Sequence, residues 1–289
     1  MGRNKYIPYL LLSFTVIIVL IFLVIPTLVS LNYSFKNYVL TKPDKIHFIG
    51  LGNYIKFFTD TDLRISIFNT IYILVFLLLF TFIGSITGAW FLNRIKKGRQ
   101  ALLSILILPW ALPGVVNALL WGNIFNASYG ALNGLLFKIG IIDHYIIWTK
   151  NAFVATNLIC LIVLWKSLPI TIVMVLAAMQ AIPEELYEAA KIDGADSFRC
   201  FLHITFPVII PTIAIVLSIT SIGALNVFDA IYVLVSLRKD TMSLAMESWL
   251  KAFRYLDLGY GSTISYILLI AGAIFSIVYL RNLYKEIRL

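Results

Sequence analysis

Charge is scarce in this chain. Only 13% of its 289 residues are Asp, Glu, Lys or Arg, while 61% are hydrophobic; an ordinary soluble domain carries about a quarter charged and roughly half apolar residues. A soluble globule is therefore excluded, and the expected surroundings are a lipid bilayer. Cysteine is nearly absent: Cys160 lies in an apolar run and Cys200 in a polar one, which offers no disulfide framework. The three histidines, His47, His144 and His203, fall in connecting segments. No His/Glu spacing, Ser/His pair or paired aspartates point to an intramembrane metal or protease site. A phosphate-cradling Gly-x-x-x-x-Gly-Lys-Ser/Thr loop is also missing, so the chain cannot hydrolyse ATP by itself. There is no low-complexity tract, convincing repeat or soluble domain. The net charge of +9 is spread over short connecting segments, not gathered on one face, so lipid headgroups and topology explain it and nucleic acid is not an expected partner.

Long apolar runs are what the chain has instead. About six are long enough to cross a hydrocarbon core, which takes roughly 20 helical residues: Ile7 to Leu31, Ile65 to Leu92, Ala101 to Phe125, Ala152 to Ala181, Thr205 to Val235 and Gly261 to Leu280. The expected fold is all-α and polytopic, one membrane domain over 1–289. The first run follows Arg3 and Lys5 as a secretory signal would, but it is too long and no small-residue cleavage site follows, so it is expected to be a retained span. Lys and Arg divide evenly between the two sets of connecting segments. The short stretch Asn93 to Gln100, with Arg94, Lys96, Lys97 and Arg99 and no acid, breaks the tie as a cytoplasmic loop. Both termini and the segment after the fourth run are then cytoplasmic, and 36–64, 127–151 and 238–260 are outside.

That segment after the fourth run, 182–211, is acid-rich in an otherwise apolar protein. Pro183 suits the first turn of a helix, and Glu184 and Glu185 lie where the helix dipole favours acids. Gly194 supplies a left-handed C-cap after Asp193, and Asp196 or Ser197 caps a second helix running to Phe206, which Pro207 is expected to separate from the next span. Leu186, Ala189 and Ala190 share one face, with Glu185, Glu188 and Lys191 on the polar side. An amphipathic helix lying on the bilayer would favour Lys and Arg there, so a docking element fits the acids better.

Within the spans, Lys166 is the costliest residue, since charge at bilayer depth lines a cavity or finds a partner. Pro169 loosens the helix beside it and beside Ser167. Snorkelling, or pairing with Asp229, is the alternative, although Asp229 lies towards the outer end of the fifth span and a pair would need considerable offset. In the third span Pro109 and Pro113 flank Trp110 and precede Gly114 and Asn117; paired prolines interrupt a helix in the way transport sites often use.

The loop Glu188-Ala189-Ala190, Asp193-Gly194-Ala195, Ile204-x-x-Pro207 and Pro211 resembles the EAA loop of permease subunits in binding-protein-dependent ABC importers of the maltose/glycerol-phosphate group. The resemblance implies that Glu184, Glu185, Glu188, Ala189, Ala190, Asp193, Gly194 and Ala195 contact an ATPase. It extends to the Pro-aromatic-x-x-Pro element, whose aromatic faces the sugar in that family and maps to Trp110 with Gly114 one turn on; plain helix packing is the alternative for Trp110. It also extends to Gly223 through Tyr232. As polar or helix-breaking positions within the apolar runs, Gly114, Asn117, Lys166, Ser167, Thr220, Ser221, Asn226 and Asp229 are the further pathway candidates. The family's glycine-rich turn after the fifth span is replaced by Leu234 to Asp240, which puts the closure of the outer loop in question. The resemblance implies a carbohydrate permease in a prokaryotic inner membrane. Its partners would be a second permease subunit in a heterodimer, two ATPase subunits holding ATP and Mg, and an extracytoplasmic solute-binding protein; this chain itself would hold no cofactor. Glycerol phosphate or a sugar acid is the alternative cargo, with Lys166 as counter-charge, and a passive channel is the alternative class.

Overall fold

The computed structural model describes residues 7–286; Arg3 and Lys5 lie outside the described residues. It is helical almost throughout. Five helices are long and apolar enough to cross a membrane, Leu12–Ser34, Leu63–Arg94, Ala152–Gln180, Ser197–Leu225 and Leu258–Tyr279, and six spans result when a bent pair, Arg99–Ala111 with Gly114–Ile124, is taken as one. Their outward side chains are apolar, as lipid requires: Phe14, Phe22, Phe91 and Ile277 are all exposed.

The chain divides into two compact units. One comprises the described residues up to Leu63 with Glu247–Leu269. Its first helix runs from Ile7 to Ser34 and widens to a π-turn over Leu20–Val24, just ahead of Pro26. Widening relieves the clash and the lost hydrogen bond that proline would otherwise impose. The segment expected as an outer loop is well built. A short antiparallel ribbon pairs Lys36 with Phe48 and Asn37 with His47, followed by the helix Gly52–Thr59. Asn53 Nδ2 donates to the carbonyls of Ser34 (3.0 Å) and Lys36 (2.9 Å). Tyr260, fully buried, donates to Asp60 Oδ2 at 3.0 Å with the Lys56 ammonium 4.1 Å from its ring centroid. Gly259 is required here: a Cβ would lie 2.3 Å from the Lys36 carbonyl oxygen.

The larger unit, Arg64–Met246 with the chain from Ile270 onward, holds both regions of interest. Its core joins Ala89 and Leu92, Ile172, Val175, Leu176 and Met179, and Ile209, Ile213 and Val216, from three of the long helices. Small residues let two of these approach closely, since a Cβ on Gly88 would stand 2.7 Å from Ile172 Cδ1, the packing mode expected where lipid supplies no hydrophobic drive.

Three sequence expectations are corrected. Pro207 does not end a helix: Ser197–Cys200 runs through a π-turn, Phe201–Thr205, into Phe206–Leu225 as one span, the widened turn again accommodating the proline. The fifth span is not continuous to Val235. It stops at Leu225, where Asn226 is the C-cap and its Nδ2 donates to the Ile222 carbonyl at 2.8 Å, and Asp229–Val235 is a separate short helix. Pro183 stands as the N-cap of the loop helix, just before its first turn. The segment after the fifth span, lacking the glycine-rich turn, closes through Arg238, which donates to the carbonyls of Thr149 and Lys150 and pairs with Asp240 at 2.6 Å.

Candidate functional site

The loop helix Glu184–Ile192 begins with two acids and ends in a Schellman motif. Gly194 N–H donates to the Lys191 carbonyl (3.0 Å) and Ala195 N–H to that of Ala190 (2.9 Å), with Gly194 at φ +79°, the conformation for which glycine is the default residue. Asp196 caps the next helix by accepting from Arg199 N–H at 2.8 Å. The local chemistry thus folds as the sequence predicts. Glu184, Glu185, Glu188, Ala189, Asp193 and Gly194 are exposed, with Ala190 and Ala195 half-buried. Ile192 beside them is 87% exposed and Phe198 68%. A charged helix that ends in a bare isoleucine, with an exposed phenylalanine at the start of the next helix, has the makings of a partner surface.

Sequence reasoning passed over Tyr187. Its hydroxyl lies 2.8 Å from Thr205 Oγ1, which ties the loop helix to the buried start of the fifth span. The two residues are 18 apart in sequence, beyond any helical period, and nothing local signals the contact. A cleft of about 650 Å³ borders this link, lined by Arg94, Glu184, Tyr187, Glu188, Lys191 and Asp196 among others. Arg94, the last residue of the second span, stacks its guanidinium 3.6 Å from the Trp90 ring centroid and lines the same cleft as Glu184 and Glu188.

The second region is made by helix breaks. Pro113 forces Leu112 into an extended conformation (φ −72°, ψ 137°), as a residue preceding proline prefers, and the third span bends there by 98°. Pro109 sits within the first two positions of the short helix Leu108–Ala111, where proline is tolerated. Gly114 opens the onward helix Gly114–Ile124. The fifth-span break returns Asp229 to this point: a Cβ on Gly114 would lie 2.1 Å from Asp229 Oδ2. Gly114, Asn117, Lys166, Asn226 and Asp229 then line one cavity of about 220 Å³, joined by Val163, Phe228 and others. The offset expected between Lys166 and Asp229 is removed by the break, though no ion pair within 4.0 Å joins them among the described residues. Asn117 is 2% exposed; its Nδ2 donates to the Ile162 carbonyl at 3.1 Å, and its Oδ1 has no partner.

Other pathway candidates lie elsewhere. Thr220 and Ser221 are buried and return their hydroxyls to the carbonyls of Val216 and Leu217, both at 2.8 Å; Ser167 does the same to Val163 at 2.9 Å. Such back-bonding satisfies a hydroxyl within its own helix. Trp110 is 50% exposed and does not line the cavity. Trp165, next to Lys166, instead stands edge-on to Trp121 at 5.5 Å. The signal for the fifth-span break was present in Asn226-Val-Phe-Asp229, an asparagine C-cap followed by an acid in a new first turn, but the apolar run around it concealed the break.

Residues 80–285 match the family model described as "Binding-protein-dependent transport system inner membrane component". Among curated proteins the chain is 34% identical over 283 residues to the trehalose/maltose transport system permease protein MalF of Thermococcus litoralis, covering 96% of this chain and 94% of that one. It is 32% identical over 284 residues to the sulfoquinovosyl glycerol transport system permease protein SmoG of Agrobacterium fabrum, covering 96% and 90%. Among solved structures it superposes with a TM-score of 0.82 on a chain of a bacterial ABC transporter that imports the acidic polysaccharide alginate, at 25% identity and 96% coverage of each. With the broken spans and the capped acidic loop in place, this chain belongs to the family of inner membrane components of binding-protein-dependent transport systems.

Proposed function

We propose that the chain is the permease subunit of an ATP-driven importer for a carbohydrate. The observation that carries this reading is the exposed, acid-fronted helix Glu184–Ile192, closed at Gly194 and tied by Tyr187 to a membrane span, in a chain whose relatives are named for trehalose/maltose and arabinooligosaccharides. A passive channel has no use for such a helix. Two partner ATPase subunits, which carry the ATP and Mg sites, receive the loop from the cytoplasmic side. A second permease subunit completes the translocation path, and an extracytoplasmic solute-binding protein delivers the sugar; a related alginate transporter is described in complex with a ligand-bound periplasmic protein. Both termini and the basic loop with Arg94, Lys96, Lys97 and Arg99 are cytoplasmic under the positive-inside rule.

ATP closure shifts the permease between inward and outward states only through contacts that differ in the two. The loop helix supplies them, and the Tyr187–Thr205 contact passes its displacement to the fifth span. In the path, Lys166, Asn117, Asn226 and Asp229 offer hydrogen-bonding groups to hydroxyls, and Trp110 remains available to stack on a sugar face from outside the cavity.

The test is reconstitution. The chain is purified with the proteins that accompany it, sealed into liposomes, and supplied with labelled maltose, trehalose and arabinooligosaccharide together with the solute-binding protein. Uptake that requires ATP supports the reading. Flux of sugar or ions without ATP, or purification without an ATPase, overturns it.

A further inference from the structure

The cavity between the helix breaks holds a pair of opposite charges that do not touch. Lys166 and Asp229 are its titratable lining residues, and they form no ion pair within 4.0 Å. Each lies beside the end of a broken helix. The Asp229 carboxylate is seated against Gly114, the first residue of the helix Gly114–Ile124, so closely that no Cβ fits between them; the amide groups of a first turn favour an anion. Lys166 shares the cavity with Gly223 and Asn226, the last turn and C-cap of the helix Phe206–Leu225, where backbone carbonyls favour a cation. The two charges thus stand on separate elements, without an ion pair between them among the described residues.

Such a cavity is formally neutral and offers donors and acceptors of both kinds: the Lys166 ammonium, the Asp229 carboxylate, and the buried, unpartnered Asn117 Oδ1. Its volume of about 220 Å³ is below the roughly 300 Å³ at which drug-sized pockets begin, which suits one sugar ring at a time. A neutral ring satisfies this lining through its hydroxyls, each of which both donates and accepts. A carboxylated or sulfonated ring gains Lys166 but brings a like charge into the same small cavity as Asp229, which opposes it. The fold does not settle the matter, since a similar one imports an acidic polysaccharide and specificity resides in the site.

We propose that Asp229 is the charge-selecting residue of the path: by balancing Lys166 in one cavity it makes the path accept uncharged carbohydrate and turn away acidic carbohydrate. This rests on the transport reading above and narrows its cargo. The sequence alone had suggested the reverse role for Lys166, as counter-charge to an anion; the break at Asn226 brings in the residue that cancels it.

The test uses thiol reagents of opposite charge on the complete complex, with Cys160 and Cys200 replaced by alanine and Asn226→Cys as the reporter. Rates of modification by sulfonatoethyl and trimethylammonioethyl methanethiosulfonate are compared in the resting and ATP-bound states. Against this parent, Asp229→Asn should raise the anion-to-cation rate ratio about tenfold, Lys166→Gln should lower it by a similar factor, and the double variant should return to the parent value, as expected for unit charges acting across a small cavity. Uptake should follow, with Asp229→Asn gaining a sugar acid such as maltobionate relative to maltose. A reactive cysteine whose ratio is unmoved by Asp229→Asn overturns the inference and leaves the transport reading standing. A cysteine inert to both reagents and to uncharged N-ethylmaleimide in both states overturns the pathway as well.

Discussion

The acidic loop and the charged cavity are both polar islands in an apolar chain, and they are stabilised in opposite ways. In the loop the helix ends are closed by near neighbours, while Tyr187 alone of the features described above reaches further, to Thr205: Gly194 and Ala195 bond back to Lys191 and Ala190, and Asp196 caps at Arg199. In the cavity the groups come from four helices, and Asp229 reaches Gly114 across 115 residues of sequence. A locally closed element keeps its shape while its position changes, which suits a part that is pushed by an ATPase. A non-locally closed one changes shape whenever its helices move, which suits a part that must take up and release cargo. The two regions should therefore respond differently to substitution: the loop through what it touches, the cavity through its own geometry.

The largest effect is expected where the cavity is tightest. Gly114→Val drives a Cβ into Asp229, since the built Cβ is 2.1 Å from Oδ2 and 3.1 Å from Cγ. The carboxylate must move or the helices must separate, an overpacking cost of roughly 1–3 kcal/mol. ATP-dependent uptake should fall to background while the ATPase still copurifies. Loss of copurification together with uptake would show that the cavity and loop do not respond independently, and would break the comparison.

Next comes the loop surface. Glu188→Lys reverses a charge on an exposed face that also carries Glu184 and Glu185. Folding should be unaffected, because the Glu188 side chain makes no hydrogen bond or ion pair among the described residues. Docking should weaken about tenfold or more, as expected for a charge reversal across a complementary interface. ATPase copurification measured over a salt series checks it, and undiminished copurification at low salt would remove Glu188 from the interface.

How much of each region could be read from the sequence follows the same division. Helix ends at Pro183, Gly194 and Asp196 are written within four or five residues, and the structure differs from the expectation there by a single position at Pro183. The six apolar runs were legible because bilayer thickness imposes their length. The cavity was legible only in part. Lys166, Gly114, Asn117, Asn226 and Asp229 were each conspicuous as polar groups or breaks in apolar runs, yet their convergence depends on a 98° bend and on the stop at Leu225. Thr220, Ser221 and Ser167 were legible as polar positions but not in how they are satisfied: each hydroxyl bonds to a carbonyl of the preceding turn, and sequence does not distinguish that from a hydroxyl left free. The π-turns before Pro26 and Pro207 were invisible because proline alone announces a break, not the widening that avoids one.

A smaller effect sharpens the comparison where the two regions communicate. Tyr187→Phe removes the hydroxyl 2.8 Å from Thr205 Oγ1, a bond worth about 1 kcal/mol, and leaves the exposed acids Glu184, Glu185 and Glu188 in place. Copurification should stay at the parent level while sugar transported per ATP hydrolysed falls several-fold. Simultaneous measurement of uptake and phosphate release in liposomes checks the ratio. An unchanged ratio would mean that the loop helix moves the fifth span without this bond.

The smallest effect is expected from Asp196→Ala. The carboxylate accepts from Arg199 N–H at 2.8 Å at the start of a helix that continues through the π-turn into the membrane, and losing an N-cap costs about 1 kcal/mol. Because the span Ser197–Leu225 is anchored further along by the buried Ile209, Ile213 and Val216, that cost should be confined to fraying of the first turn. Cleavage by trypsin after Arg199 should then quicken about fivefold, the factor that ~1 kcal/mol gives for a locally opened state, with uptake and copurification nearly unchanged. A fall in copurification as large as that of Glu188→Lys would show that the 196–200 turn, with its exposed Phe198, is itself part of the docking face. The loop would then act on its partner through two helices held at a fixed angle by Gly194, and its shape as well as its charge would carry the coupling.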